Sequence, residues 1–342
     1  MAVTLKEIAR LSGVSRPAVS LVMRDPETKH VAEEKRREIL LLAKDLDYRP
    51  DYAAMKLRGM PTRSVGLLGS LFTVPIHAAI TDRIMKSLWE RGHQVLLGDH
   101  CGSAAKERQI VAELEARGVD GLILTNTIDA PLLDGLRTPF VAVTHNQSYF
   151  DVAVDLRQGG LLAGRHLLGH GHRRLSFVTG DSQSGLLRRE GLAAALAEAG
   201  LDFKPGWTIH HGPAAGDKLA ELVRKEGVTG FFCLNDFFAA HTVRELGKRG
   251  ISTPRDAAVI GFDGLAFGAL TTPSLSSVAQ PVTRLAAATV DLMISRLDGP
   301  WERRAAPELL APTLRLGESC GCHPEEEEWQ APRQLTLPET DL

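Results

Sequence analysis

The stretch Gly13-Val14-Ser15-Arg16-Pro17-Ala18-Val19-Ser20-Leu21-Val22-Met23 lies close to the start of a 342-residue chain. Gly13 marks a turn. Ser15 is a good N-cap, because its oxygen can accept an orphan amide of the first helical turn. Pro17 is tolerated there because its missing N–H has no partner to lose. Ala18 and Val19 open the helix, and Val22 continues its apolar stripe. Upstream, Thr4-Leu5-Lys6-Glu7 has capping-box spacing, and Leu5, Ile8 and Ala9 share one face at helical period. Downstream, the pattern predicts a third helix from about Ala32 to Leu46, with Ile39, Leu40, Ala43 and Leu46 inward. Two short helices joined by a glycine turn, with small Ala9 near their crossing, describe a helix-turn-helix. On spacing alone, an ordinary three-helix bundle accounts for the same apolar positions equally well.

Tyr48-Arg49-Pro50 ends this head. Asp51 to Gly59 then offers an N-cap, helix formers and a terminal glycine. At about seven residues such a helix is too short to stand alone, so it reads as an ordered linker or a segment that folds on binding. Residues 1–60 hold 12 Lys or Arg against 9 Asp or Glu, and the remainder 28 against 33. A basic head on an acidic body is compatible with nucleic-acid contact, though many surface helices are mildly basic.

Beyond the polar joint Met60-Pro61-Thr62-Arg63-Ser64 the pattern changes. Apolar strands are predicted at Val65–Leu68, Gln94–Leu97, Gly121–Leu124, Phe140–Val143, Leu175–Thr179, near Trp207–His210, at Gly230–Leu234 and at Ala257–Phe262. Amphipathic helices are predicted around and between them. Such alternation, with near-continuous apolar strands, means parallel sheets covered on both faces, and two series mean two doubly wound α/β lobes. In open sheets of this kind ligands sit beyond the C-terminal strand ends. The residues there are Ser70, Thr125-Asn126, Thr144-His145, Asn235-Asp236 and Asp263-Gly264. Short mixed donors and acceptors of this type suit a hydroxyl-rich solute. Asp236 reads at least equally well as the N-cap of the next helix, whereas Asn235 and Asp263 have less obvious structural work.

Other chemistry is thinly represented. No Walker A sequence, strand-following G-x-G-x-x-G, G-x-S-x-G elbow or H-E-x-x-H occurs, so no catalytic residue is assigned and no enzyme is expected. The four cysteines include no C-x-x-C pair. Cys320-Gly321-Cys322-His323 tempts a zinc reading, but three ligands so close need a fourth from elsewhere, and no metal or other cofactor is expected. His170, His172, His210 and His211 are badly spaced for a tetrahedral site. No apolar run is long enough to span a bilayer. With charged residues among the first twenty, no secretory leader is expected. The chain is therefore expected in the cytoplasm with no membrane partner.

The head resembles the DNA-binding domain of the lactose-repressor (LacI/GalR) family. The resemblance rests on Val3-Thr4-Leu5-Lys6-Glu7-Ile8-Ala9, Gly13-Val14-Ser15, Ala18-Val19-Ser20, Leu46-Asp47-Tyr48-Arg49-Pro50 and Lys56-Leu57-Arg58. It implies a second helix in the major groove and Leu57 as a wedge in the minor groove. The DNA-facing set it implies is Thr4, Ser15, Arg16, Pro17, Ala18, Ser20, Leu21, Tyr48, Ala54 and Leu57, with Arg16 as the base reader. Leu21 stands where relatives often have arginine, Met55 where a polar residue is common, and Ala32 where a serine usually caps the third helix.

The body resembles the periplasmic-binding-protein-like effector domain of the same family. Val119-Asp120-Gly121-Leu122-Ile123, Gly169-His170-Gly171-His172, Val259-Ile260-Gly261-Phe262-Asp263 and the run from Pro273 to Pro281 carry this likeness. It implies ligand contacts at Ser70, Asn235, Asp263 and Gln280, and at Arg188 in Arg-x-x-Gly. His77 and His145 fall where relatives often place aromatic contacts, and Thr125 completes the set from its strand end. Inward histidines would favour an effector more polar than a plain hexose, such as a sugar acid. The implied organisation is a head at 1–48, a linker at 49–61, a body at 62–322 and a disordered tail at 323–342. Within the body the N-lobe takes about 62–158 and 281–306, and the C-lobe about 159–280 and 307–322. The implied assembly is a homodimer on near-palindromic double-stranded DNA, controlled by a sugar or sugar acid; a purine co-repressor is the alternative effector, and a solute-binding protein without DNA role the alternative class.

Overall fold

A computed structural model describes residues 3–48, 60–72, 74–143, 149–180, 183–303 and 306–322. The expected linker helix with Ala54 and Leu57, the strand-end residues Thr144 and His145, and the C-terminal tail lie outside the described residues. The chain divides into two units, Met1–Thr62 and Arg63–Leu342. Among the described residues no helix is long and apolar enough to cross a membrane.

In the first unit, helices α1 (Leu5–Ser12), α2 (Arg16–Arg24) and α3 (Glu33–Asp45) enclose a small core. Ile8, Val19, Val22 and Ile39 are fully buried in it, with Ala9 and Ala43 beside them. Gly13 ends α1 in the left-handed region, φ 67°, where a side chain would be strained. The capping box forms only by half. Thr4 accepts the amide of Glu7 at 3.4 Å, but the Glu7 carboxylate turns to Arg10, 2.6 Å away, instead of reaching back. Ala32 precedes α3 without a side-chain cap.

The second unit contains the two predicted lobes. In the N-lobe, β1 (Ser64–Gly69), β2 (Gln94–Asp99), β3 (Gly121–Thr125) and β4 (Phe140–Val143) form a parallel sheet in the order β2-β1-β3-β4. Its helices are α4 (Pro75–Glu90), α5 (Ala104–Arg117) and the short α6 (Ala130–Gly135). Strands β1, β3 and β4 are buried along their whole length, which is why each reads as an unbroken apolar run.

A short strand β5 (Val152–Val154) follows, and the chain enters the C-lobe through α7 (Leu156–Gly169), capped by Asp155. Strands β6 (Leu175–Thr179), β7 (Thr208–His210), β8 (Gly230–Cys233), β9 (Ala258–Asp263) and β10 (Ser276–Ala279) alternate with α8 (Gln183–Glu198), α9 (Ala215–Glu226) and α10 (Asp236–Lys248). Helix α11 (Val282–Asp298) returns to pack on α4. Strand β11 (Glu308–Leu310) then pairs with β5, and β12 (Thr313–Arg315) closes the C-lobe sheet, ordered β12-β10-β9-β8-β6-β7. One detail differs from the sequence reading. The edge strand β12 is antiparallel, so this sheet is not purely parallel.

Candidate functional site

Two surfaces bear on function, one in each unit. In the head, the first turn of α2 carries no acidic residue. Its positive helix end and the exposed Arg16 therefore favour an anion. The amide of Ala18 donates to Ser15 at 3.3 Å, which fixes the helix start. Val19 and Val22 point inward, so helical period turns Pro17, Ser20 and Leu21 to the opposite side, with Arg16 at the edge of the buried stripe. Arg16 and Pro17 are exposed, and Ala18, Ser20 and Leu21 half-buried. Tyr48 packs against the head core, so part of its role is structural. Thr4 is exposed at the start of α1.

In the body, a cleft of about 400 Å³ opens where both lobes present their strand ends. Ser70, His77 and Thr125 line it from the N-lobe, and Arg188, Asn235, Asp263 and Gln280 from the C-lobe and its return. These are the sequence-implied effector residues that fall among the described residues. Ile76, Ile80, Val154, Leu156, Leu234 and Leu285 supply an apolar wall between them.

Arg188 is almost fully buried. Its Nη1 donates to the Leu234 carbonyl at 2.7 Å, and its guanidinium lies 3.9 Å from the Phe262 ring centroid. Burial lowers its pKa to about 10, with Asp263 and Asp236 opposing the fall, so it stays cationic at neutral pH. Gly160 and Gly191 make its placement possible. A Cβ on Gly191 would stand 2.0 Å from the Arg157 carbonyl oxygen, and one on Gly160 would stand 1.9 Å from that of Arg188. The Arg-x-x-Gly spacing thus joins a cleft-lining side chain to the contact that seats α8 against α7.

Asp263 ends β9 at φ 107°, an unusual backbone for a residue with a side chain. Its Oδ1 accepts from Gln280 Nε2 at 2.8 Å. Burial pushes its pKa up to about 7 despite the nearby Arg188 cation. The helix cap that the sequence offered to Asp236 falls to Asn235. Asn235 is the N-cap of α10 and accepts the Phe238 amide at 3.0 Å. Asp236 is fully buried and accepts from Leu265 N at 2.6 Å and Ser277 Oγ at 2.5 Å. It ties the ends of β9 and β10 together, with its pKa pushed up to about 6 by burial.

His77 is held as one tautomer. The Ser70 carbonyl, 2.9 Å from Nδ1, can only accept, so Nδ1 carries the hydrogen. Nε2 then accepts from Asn126, 3.1 Å away. Burial lowers the pKa of this imidazole, offset in part by the Ser70 bond.

His100 was missed in the sequence. Its Nδ1 accepts the Gly102 amide at 3.0 Å, which leaves the hydrogen on Nε2. Nε2 is buried, lines the cleft region, and has no hydrogen-bond partner among the described residues. A buried donor without a partner is costly unless a ligand or water satisfies it. The signal was available, since His100 directly follows the C-terminal end of β2.

Known proteins place these features. Residues 4–51 match the model of bacterial regulatory proteins of the lacI family. Residues 165–320 match that of the periplasmic binding protein-like domain. Over 326 residues the chain is 28% identical to the HTH-type transcriptional repressor PurR of Erwinia tasmaniensis, covering 91% of this chain and 95% of that protein. The PurR of Pectobacterium atrosepticum is 29% identical over 314 residues, 87% of this chain and 92% of its own. Among solved structures, a transcriptional regulator CelR–cellobiose complex has 27% identity and a TM-score of 0.67, covering 93% of this chain and 99% of that one. The lac repressor dimer bound to operator and the anti-inducer ONPF has a TM-score of 0.78 over 94% of this chain and 99% of that one. At 22% identity that second likeness bears on the fold alone.

Proposed function

Because the chain belongs to the LacI family of bacterial regulatory proteins, we propose that it is a transcriptional repressor whose affinity for its operator is set by a sugar or sugar acid in the cleft. The observation that carries the effector reading is the donor and acceptor set around the cleft. Arg188 and the His100 Nε2–H donate, Asp263 accepts, and Asn235 and Gln280 do both. Adjacent hydroxyls present alternating donors and acceptors to such a set, and a carboxylate on the same ligand would take the cationic side. The apolar wall takes the ring face.

Arg16 leads α2 into the major groove, with Ala18 and Ser20 near base edges or phosphates. A homodimer places two such helices on a near-palindromic site. The working compartment is the cytoplasm. Effector control acts only through a difference in affinity between two states of the protein.

A purine is the second reading, favoured by the named PurR relatives. Gel mobility shifts with the DNA upstream of the protein's own gene test the repressor reading. Specific binding that weakens steeply with salt is expected; uniform weak binding to all DNA overturns it. Adding sugars, sugar acids and purine bases to the same assay separates the effectors and shows whether each releases or tightens the complex.

A further inference from the structure

We propose that His166, His170, Cys320 and Cys322 bind a structural zinc ion. The sequence argued against a metal at Cys320-Gly321-Cys322-His323 because a fourth ligand had to come from elsewhere. Helix α7 and its C-cap residue supply two. His166 and His170 stand four residues apart and so share a helix face one turn apart. Their ring centroids are 4.6 Å apart. Cys320 ends a short helical turn at Glu318–Cys320, and Gly321, at φ 89°, reverses the chain so that Cys322 joins the same cluster.

The four donor atoms all lie within 4.8 Å of one another. His166 Nε2 is 3.2 Å from Cys320 Sγ and 3.6 Å from Cys322 Sγ, and His170 Nε2 is 3.3 Å from Cys322 Sγ. Zinc bonds of about 2.3 Å to sulfur and about 2.0 Å to nitrogen give tetrahedral N···S edges of roughly 3.5 Å. The observed edges bracket that length. Thiol–imidazole hydrogen bonds explain these pairs one at a time; they do not require all four donors to converge. A mononuclear set of two thiolates and two imidazoles in tetrahedral array selects zinc among common divalent ions.

The surroundings suit a permanent ion. Cys320 is buried, and Ser276 Oγ, also buried, lies 2.9 Å from its sulfur, where it can steady a thiolate. His170 is exposed and Cys322 half-buried, which leaves a path for entry. Four protein ligands leave no open position, so the site is structural rather than catalytic. It would pin the segment after β12 to α7, whose first residue, Leu156, lines the cleft. The ion would then brace the C-lobe from the end of α7 away from the effector.

The test uses the full chain purified under reducing conditions from zinc-supplemented cells. Plasma mass spectrometry should find about one zinc per chain, and X-ray absorption at the zinc edge should show a mixed sulfur and nitrogen shell. Cobalt substitution should give the visible bands of a tetrahedral ion together with a thiolate charge-transfer band. Chelation should lower the melting temperature of the wild type. The exposed-ligand variant His170→Ala should bind zinc at least about tenfold more weakly, and its melting temperature should respond less to chelator. The paired variant Cys320→Ser/Cys322→Ser should bind none; if it fails to fold, the cobalt spectrum of the wild type still decides. Zinc at background in the wild type, a shell without sulfur, or a Cys320–Cys322 disulfide in the reduced preparation overturns the proposal.

Discussion

Arg188 faces Asp263 within the cleft, its Nη2 3.9 Å from the carboxylate Oδ1, while its Nη1 is held by the Leu234 carbonyl. The separation is too long for a direct hydrogen bond, so each group keeps capacity for a ligand. Replacing Arg188 by Met should weaken effector binding about ten- to a hundredfold, the worth of one hydrogen bond to a charged group. Arg188→Lys should not restore it, because an ammonium lacks the planar fork. Titration calorimetry with the true effector measures both. Wild-type affinity in Arg188→Met would remove this residue from the site.

A pH dependence follows from Asp263. Its folded pKa, about 7, lies above its ordinary value of 3.8. The folded protein therefore holds this proton more readily than the unfolded chain. The contribution to stability is fully present below about pH 3.8 and is lost as the pH rises through about 7. Asp236, raised to about 6, acts in the same sense. Ligand binding runs the other way. A sugar hydroxyl donating to Asp263 bonds more strongly to the carboxylate than to the neutral acid, so affinity should climb as the pH rises from about 6 to 8, by at most about tenfold per unit below the pKa. Asp263→Asn should flatten that profile. A flat wild-type profile would mean that the ligand does not bond to the ionised Asp263.

Much of this architecture is legible in the sequence because burial on both faces makes β1, β3, β4, β6 and β8 continuous apolar runs. Strands β5, β11 and β12, with three residues each, are too short to show a period, and their pairing is set by distant chain. Within the cleft, the strand-end rule finds Ser70, Thr125, Asn235 and Asp263. It does not reveal which of Asn235 and Asp236 caps α10, since either side chain can cap; only the fold shows that Asp236 is taken by Leu265 and Ser277. The cysteine–histidine cluster was illegible for a related reason. Its halves lie about 150 residues apart, at separations of 152 to 156 between the bonded pairs.

Gly191 tests how tightly the seat of α8 governs the site. Gly191→Ala would place a methyl group 2.0 Å from the Arg157 carbonyl oxygen and 2.7 Å from Leu161 N, both backbone atoms that cannot rotate away. Overpacking of this kind costs about 1–3 kcal/mol, and relief requires α8 to move off α7, carrying Arg188 with it. Lower stability in urea and weaker effector binding should therefore appear together. Gly247→Ala is the control. It lies on α10 in open space and should stabilise by about 0.4–1 kcal/mol. A Gly191→Ala protein as stable as the wild type would show that the two helices can separate at little cost.

We propose Arg16 as the residue through which the head reads DNA. It is exposed at the first position of α2, while Leu21, on the same helix, has no donor to offer a base or phosphate. The Leu21 side chain can still meet a thymine methyl. If Arg16 grips a guanine through two hydrogen bonds, Arg16→Ala should cost about 1–3 kcal/mol on the operator and little on unrelated DNA. The variant should also tolerate substitution at the guanine that the wild type requires. If Arg16 instead meets a phosphate, affinity should fall equally on all sequences, and the slope of log affinity against log salt should shrink by about one. Mobility shifts on the operator, on a single-base variant series and on random DNA, each at three salt concentrations, separate the two. Arg16→Lys sharpens the comparison. A lysine keeps the charge but lacks the rigid fork, so it should rescue a phosphate contact and leave guanine discrimination impaired.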